Sequence, residues 1–297
     1  MTALSTAKPE TARERPLTLG AVTVTLILWA SAFVVIRYAD RYLSPGPLAL
    51  ARMLVGSFIL GVLMVARRQR LPAGSALGYA VLAGILWFGL YNVALNAGER
   101  RIDAGTASLL VNTGPIFVAL LAGALLREGF PRALFVGCLV SFAGAALIAI
   151  AVSGGGGREL WGAVLCVVAA LGYAGAMVAQ KPALRRSGAL PITWVGCTTA
   201  AIALLPYLPE LARQLGHAPG SAIGWTVYLG LGPTATAFVF WAFALARTEA
   251  GRLGVTTYLV PPLVVLLGWL ALDEVPPLLA LPGGLLCLAG VALARRR

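Results

Sequence analysis

The sequence predicts an all-α integral membrane protein with ten transmembrane helices, arranged as two inverted five-helix repeats. Three observations favour this fold class. Only 11% of the 297 residues are charged and 59% are hydrophobic, whereas soluble domains carry about 25% charged residues. The hydrophobic residues form uncharged runs long enough to cross a bilayer, and the second half of the chain repeats a pattern of the first half. This composition excludes a soluble enzyme.

Ten apolar runs supply the predicted helices in order. A helix needs about 20 mostly apolar residues to cross the hydrocarbon core of a bilayer, and nine of the runs reach that length without a charged residue. The second run is interrupted by one charge, Arg52. The runs cover residues 17–36, 42–66, 71–98, 104–126, 133–157, 160–180, 187–209, 218–246, 253–272 and 275–294.

The loops between these runs predict the orientation of the chain. With ten spans, both termini lie on one side of the membrane, and that side carries sixteen Lys and Arg residues against six on the other. Because cytoplasmic loops are enriched in Lys and Arg, we expect a bacterial inner-membrane protein with both termini in the cytoplasm and residues 1–16 as a cytoplasmic tail. The net charge of +12 then reflects topology and contact with the anionic lipid bilayer, and no nucleic-acid partner is expected.

An internal repeat divides the chain into two halves. Residues 29–37 (WASAFVVIR) are matched 144 positions later by residues 173–181 (YAGAMVAQK). The offset then becomes 146 and pairs Gly105 with Gly251, Pro115 with Pro261, Glu128 with Glu274 and Gly144 with Gly290. We therefore predict one repeat over residues 17–152 and a second over 160–294. Because each repeat has an odd number of spans, the two must be inverted, an arrangement typical of secondary transporters with a substrate site between the halves.

Arg52 is the one ionisable residue inside the runs, and charged residues at membrane depth are usually functional. Its guanidinium could bind a substrate carboxylate in a charge-assisted pair. Alternatively, Arg52 extends to the membrane interface or pairs with Asp40. The runs hold no Asp or Glu, and proton-coupled carriers generally use a titratable group inside the membrane. The sequence therefore predicts a facilitative or gradient-driven carrier and not a proton antiporter.

The remaining cavity candidates are neutral polar and aromatic residues within the runs. Their other interpretation is an interfacial aromatic belt or packing and hydrogen bonding between helices. Four prolines are candidate hinges because proline interrupts the helical hydrogen-bond ladder: Pro115, Pro233, Pro261 and Pro262. The candidates for the substrate site, with Arg52, are Trp87, Tyr91, Asn92, Asn112, Tyr173, Trp241 and Tyr258.

Intramembrane enzyme chemistry is not expected. The sole histidine, His217, lies in a loop, so the two histidines of a zinc protease and a buried histidine base are both missing. The four cysteines lie within apolar runs without metal-ligand spacing. We predict no metal and no cofactor.

Several segments resemble the EamA-type members of the drug/metabolite transporter superfamily. Within it, the chain is most similar to the bacterial exporters of aromatic amino acids of the YddG type. The resemblance implies two EamA repeats around a central cavity that opens alternately to each side of the membrane. Arg127 and Asp273 depart from the family pattern, in which Gly is frequent at these positions. The segments that carry the resemblance are WASAFVVIR, SPGPLALARMLVG, NTGPIFVALLAGALLREGFP, LGYAGAMVAQK and YLVPPLVVLLGWLALDEVPP.

The intramembrane residues favour one substrate class. Carriers of phosphates or nucleotide sugars should present several cations, and carriers of lipophilic cations a carboxylate, whereas these runs offer only Arg52. We therefore predict a monomeric exporter of aromatic or neutral amino acids and related metabolites. The alternatives are a multidrug, nucleoside or nucleotide-sugar exporter and, from another class, a channel-like conduit, which would not saturate.

Overall fold

The computed structural model describes residues 15–125, 132–153, 156–184, 186–245 and 256–294. Within these ranges all regular structure is helical. Most of the predicted N-terminal tail, together with Arg127 and Glu128, lies outside them.

Fourteen α-helical segments make up the described part of the chain. Two π-helical segments, Gly84–Tyr91 and Gly230–Thr236, join α3 to α4 and α11 to α12. The helices are α1 (Arg15–Ala39), α2 (Pro45–Ala66), α3 (Ser75–Ala83), α4 (Asn92–Glu99), α5 (Ala104–Val111), α6 (Gly114–Leu125), α7 (Arg132–Ser153), α8 (Gly157–Leu184), α9 (Ala189–Ala203), α10 (Leu208–Leu215), α11 (Gly220–Leu229), α12 (Ala237–Leu245), α13 (Val260–Leu272) and α14 (Ala280–Ala294).

Among the described residues, five helical stretches are long and apolar enough to cross a membrane. The number becomes six if α9 and the segment Leu205–Leu215, which meet at an angle of 50°, form one span. Pro206 and Pro209 lie at this bend, where they cannot donate backbone hydrogen bonds. Four shorter apolar helices lie where the sequence predicts further spans, so the ten-span count stays a prediction. They are Ala104–Val118, Phe135–Ala151, Thr257–Leu272 and Ala280–Leu293.

In two helices, prolines delay the start of the helix within its apolar run. The third run starts at Leu71, but α3 begins at Ser75 because Pro72 and Gly74, whose φ is +56°, interrupt the helical backbone. The last run starts at Val275, but α14 begins at Ala280, after the Pro276-Pro277 pair. Hydrophobicity thus predicts which segments lie in the membrane, but it does not identify the first helical residue.

Helices α7 and α14 pack backbone to backbone through four glycines. A Cβ atom added to Gly144 would lie 2.4 Å from the carbonyl oxygen of Gly283, and one added to Gly290 would lie 2.5 Å from that of Gly137. The repeat offset of 146 turns the first pair into the second. Adding the offset to the residues of one contact thus gives the residues of the other. Contacts across a two-fold axis show this relation.

The π-helical segments show the same relation. Their first residues, Gly84 and Gly230, are 146 positions apart and both allow close helix packing. Gly84 lies against the backbone of Gly196 in α9, whereas Gly230 lies against the carbonyl of Arg52 in α2. Arg52 and Gly196 are themselves repeat equivalents, at the offset of 144. These close approaches bring α2, α9 and both π-helical segments together around the centre of the molecule.

Candidate functional site

A cavity of about 130 Å³ lies at the centre of the described structure. Seven of the eight predicted site residues line it: Arg52, Trp87, Tyr91, Asn92, Asn112, Tyr173 and Trp241. Tyr258 is not among the lining residues and packs with Ile116, Cys138 and Val291. Its neighbour Thr257 lines the cavity instead. The site thus draws on segments from both predicted repeats.

Arg52 is buried, with 7% of its surface exposed. Its Nε donates a hydrogen bond to Oγ1 of Thr234 at 2.8 Å, and its Nη1 donates to Oδ1 of Asn92 at 2.7 Å. The side chain therefore neither extends to the interface nor pairs with Asp40. Both partners are neutral, and no carboxylate among the described residues lies within ion-pair distance of Arg52. Its charge is consequently available to an anionic group in the cavity.

The partners of Arg52 are themselves fixed. The amide of Asn92 donates to the carbonyl oxygens of Trp87 and Phe88, at 3.2 and 3.0 Å. The hydroxyl of Thr234 donates to the carbonyl of Leu229 at 2.9 Å. Trp87 and Phe88 belong to the first π-helical segment, and Leu229 directly precedes the second. π-Helical segments are frequent at functional sites. The guanidinium is thereby held in one orientation.

Aromatic rings form a large part of the cavity wall. The ring of Phe238 lies 5.0 Å from that of Trp87 and 5.2 Å from that of Phe88, both edge to face. Trp87 also contacts Tyr173 at 5.1 Å, and Trp29 contacts Trp241 at 4.9 Å. Sequence reasoning missed Trp29, Phe88 and Phe238, since apolar aromatic residues in a membrane run look alike whether they face lipid or a cavity.

The four hinge candidates occupy two kinds of position. Pro115 lies in the first turn of α6, and Pro261 and Pro262 lie in the first turn of α13. A proline there has no helical hydrogen bond to lose, so it begins a helix without kinking it. Pro233 differs because it lies inside the second π-helical segment. Movement at any of these prolines stays a prediction.

A charged cluster, which we define as Arg37, Asp40, Glu99, Arg100 and Glu274, lies next to the cavity residue Ile36. Nε of Arg37 donates to Oε1 of Glu274 at 2.7 Å, and its Nη1 donates to the carbonyl of Glu99 at 2.5 Å. Arg100 donates to the carbonyl of Asp40 at 2.7 Å. The cluster follows directly after Ile36, a lining residue, and joins α1 and α4 to the segment after α13.

The carboxyl groups of Asp40 and Glu99 are buried, at 4% and 0% exposure, and none of their oxygen atoms accepts a hydrogen bond from the described residues. Burial raises the pKa of Asp40 to about 8, against the weaker opposing effects of Arg100, Arg37 and Arg101. Glu99 ends the membrane-length stretch Ser75–Glu99. Glu99 is the last residue of this stretch and lies one residue beyond the apolar run, so the absence of carboxylates from the spans stays a prediction.

Membrane-length helices around a small buried cavity, with one fixed cation and an aromatic wall, define a multi-pass membrane protein with a central small-molecule site. Residues 17–150 and 160–296 each match the EamA-like transporter family. The chain belongs to this family, so it is a membrane transporter and not an enzyme.

Two relatives with descriptive names match most of the chain. A probable terminal-alkyne amino-acid exporter of Streptantibioticus cattleyicolor is 39% identical over 278 residues, 93% of each chain. A probable amino-acid metabolite efflux pump of Salmonella typhimurium is 23% identical over 277 residues, 90% of this chain and 91% of the pump. A crystal structure of a protein with 21% sequence identity aligns with a TM-score of 0.63 over 94% of this chain and 97% of that chain, so the two share a fold.

Proposed function

We propose that this transporter exports neutral amino acids and related small metabolites across the bacterial inner membrane by alternating access. The observation that carries the proposal is Arg52, a buried guanidinium with two neutral partners in the wall of the central cavity. The α-carboxylate of an amino acid would supply the missing negative charge in a charge-assisted hydrogen bond. The names of the two relatives support amino acids as the substrate class.

The size and lining of the cavity favour compact substrates with an apolar side chain. A cavity of about 150 Å³ in another protein holds one benzene molecule, and this cavity measures about 130 Å³. Among the described lining residues, Arg52 is the one cation and no carboxylate is present. This lining argues against nucleotide sugars, which carry several negative charges, and against organic cations.

Alternating access is supported by the two family matches, which cover the chain on either side of residues 151–159. Two similar halves can adopt two similar conformations, each open to one side. We propose ten spans with both termini in the cytoplasm, which places the charged cluster at the periplasmic end. Because one chain surrounds the cavity, a monomer is sufficient for transport. We propose facilitative or gradient-driven movement, because no carboxylate is present among the described residues that line the cavity.

Binding to purified protein tests the role of Arg52. We expect saturable binding of labelled leucine that is displaced by free amino acids and, at least about tenfold less well, by their carboxamides, which lack the carboxylate charge. In Arg52→Gln this discrimination should disappear, because a hydrogen bond to a charged group contributes about 1.5–3 kcal/mol. The amide of Gln ends near the position of the Arg52 Nε and can still donate to Thr234, which limits the damage to the fold. Equal losses for acid and carboxamide would contradict the assigned role.

A further inference from the structure

Two groups of residues around the cavity occupy equivalent positions in the two repeats. We call them the polar pole (Arg52, Asn92 and Thr234) and the aromatic pole (Gly196, Phe238 and Phe88). The offset of 144 relates Arg52 to Gly196. The offset of 146, which pairs Gly84 with Gly230, also relates Asn92 to Phe238 and Phe88 to Thr234. Both hydrogen-bond partners of Arg52 thus have phenylalanine as their equivalent. The equivalent of Arg52 itself has no side chain.

The contacts at the two poles correspond. At the polar pole, Arg52 bonds Thr234 and Asn92. At the aromatic pole, the ring of Phe88 lies 3.0 Å from the position that a Cβ atom on Gly196 would take, and it contacts the ring of Phe238 at 5.2 Å. The space that a long side chain fills at one pole is filled by two rings at the other. Both rings also line the cavity.

We propose that Phe88 and Phe238 form the subsite for the substrate side chain and determine which side chains the transporter accepts. This inference rests on the proposed function, in which the carboxylate binds Arg52. A two-fold relation places equivalent positions on opposite sides of its axis, so a substrate held by its carboxylate at the polar pole extends its side chain toward the aromatic pole. An apolar side chain is favoured there, since the rings offer no hydrogen-bonding group.

Two substitutions should change the side-chain preference in opposite directions. Phe238→Ala removes a ring and enlarges the subsite. Phenylalanine should therefore displace labelled leucine more effectively, relative to alanine, than it does in the unsubstituted protein. Gly196→Ala adds a Cβ atom 3.0 Å from the Phe88 ring and displaces it into the cavity, so the preference should move toward alanine. One methylene in an apolar pocket changes discrimination about 10–200-fold, and we expect at least about a tenfold change in the ratio for each variant.

The matched control is Phe240→Ala, on the same helix α12 but at 36% exposure and outside the central cavity. It should keep the competition order of the unsubstituted protein. Opposite shifts in the two variants, with the discrimination between acid and carboxamide unchanged, would support the subsite. Equal effects on all competitors, or shifts in the same direction, would overturn it while leaving the proposed function intact. Absence of saturable leucine binding in the unsubstituted protein would instead overturn the proposed function.

Discussion

At the scale of single residues, the chemistry of the site depends on which charges have partners. Arg52 is surrounded by neutral oxygen atoms, whereas Arg37 is paired with Glu274 and ties two parts of the chain together. A guanidinium already neutralised by a carboxylate could not recognise an anion as strongly, because the site would pay for separating the pair. The two arginines therefore differ in their contacts, since a carboxylate pairs with Arg37 and none pairs with Arg52 among the described residues.

Asp40 predicts a pH dependence of stability. Its pKa is raised from 3.8 to about 8 because burial disfavours the charged form. A group whose pKa is raised by folding stabilises the folded state fully at pH values below its ordinary pKa. This contribution declines as the pH rises and is lost once the pH passes the raised pKa. We expect the melting temperature in detergent to fall as the pH rises toward about 8 and then to level off. Asp40→Asn should flatten this decline.

Asp273→Asn is the matched control for this measurement. Asp273 lies beside the charged cluster but is exposed, and its φ of +54° suits asparagine as well as aspartate. This variant should keep the pH dependence of the unsubstituted protein. The charged groups that face the Asp40 carboxyl are Arg37, Arg100, Arg101 and Glu99. An unchanged decline in Asp40→Asn would contradict the assignment of this effect to Asp40.

Much of the site could be predicted from the sequence, because polar residues within membrane runs are costly to bury and are therefore usually functional. That logic located Arg52, Asn92 and Asn112, all of which line the cavity. It could not assign Tyr258, whose ring fits the apolar cluster around Ile116. Phe88 and Phe238 were detectable only through the repeat, which aligns them with polar residues of the other half.

At the scale of helices, the glycine contacts between α7 and α14 predict a sharp difference between two alanine substitutions. In Gly144→Ala the new Cβ atom would meet the backbone of Gly283 at 2.4 Å and of Cys287 at 2.7 Å. Backbone cannot move aside as a side chain can, so the helices must separate. We expect a fall of several degrees in melting temperature, in line with about 1–3 kcal/mol for overpacking a tight contact.

Gly78→Ala makes the same chemical change in α3, at a position with nothing within 4 Å. It should leave the melting temperature unchanged or raise it, because alanine is favoured over glycine in a helix by about 1 kcal/mol. Similar melting temperatures for the two variants would show that the α7–α14 contact contributes little to stability.

The sequence located the helical segments better than their internal geometry. A segment that crosses the lipid must be apolar over about 20 residues, so the length of an apolar run predicts a membrane helix directly. The π-helical segments and the bend after α9 depend on local backbone and proline effects that leave the hydrophobicity unchanged. In the sequence, only the repeat-equivalent glycines Gly84 and Gly230 indicate where the two π-helical segments begin.

At the scale of the whole molecule, the two halves are alike in packing and unlike in chemistry. Glycine contacts exchange under the repeat offset, while Arg52 and Gly196 at equivalent positions make one pole of the cavity polar and the other aromatic. Similar packing in the two halves is what the proposed alternating access requires. Under the proposed function, the different chemistry of the two halves would give a bound amino acid one orientation.

Counterflow in proteoliposomes tests the central claim, carrier-mediated movement of neutral amino acids, most directly. Vesicles loaded with unlabelled leucine are placed in a trace of labelled leucine, and the labelled leucine inside is followed over time. A carrier with a single alternating site should accumulate label transiently above its equilibrium level, with a rate that saturates as external leucine increases. Uptake that rises in proportion to concentration and never exceeds equilibrium, from protein shown to be folded, would contradict the account.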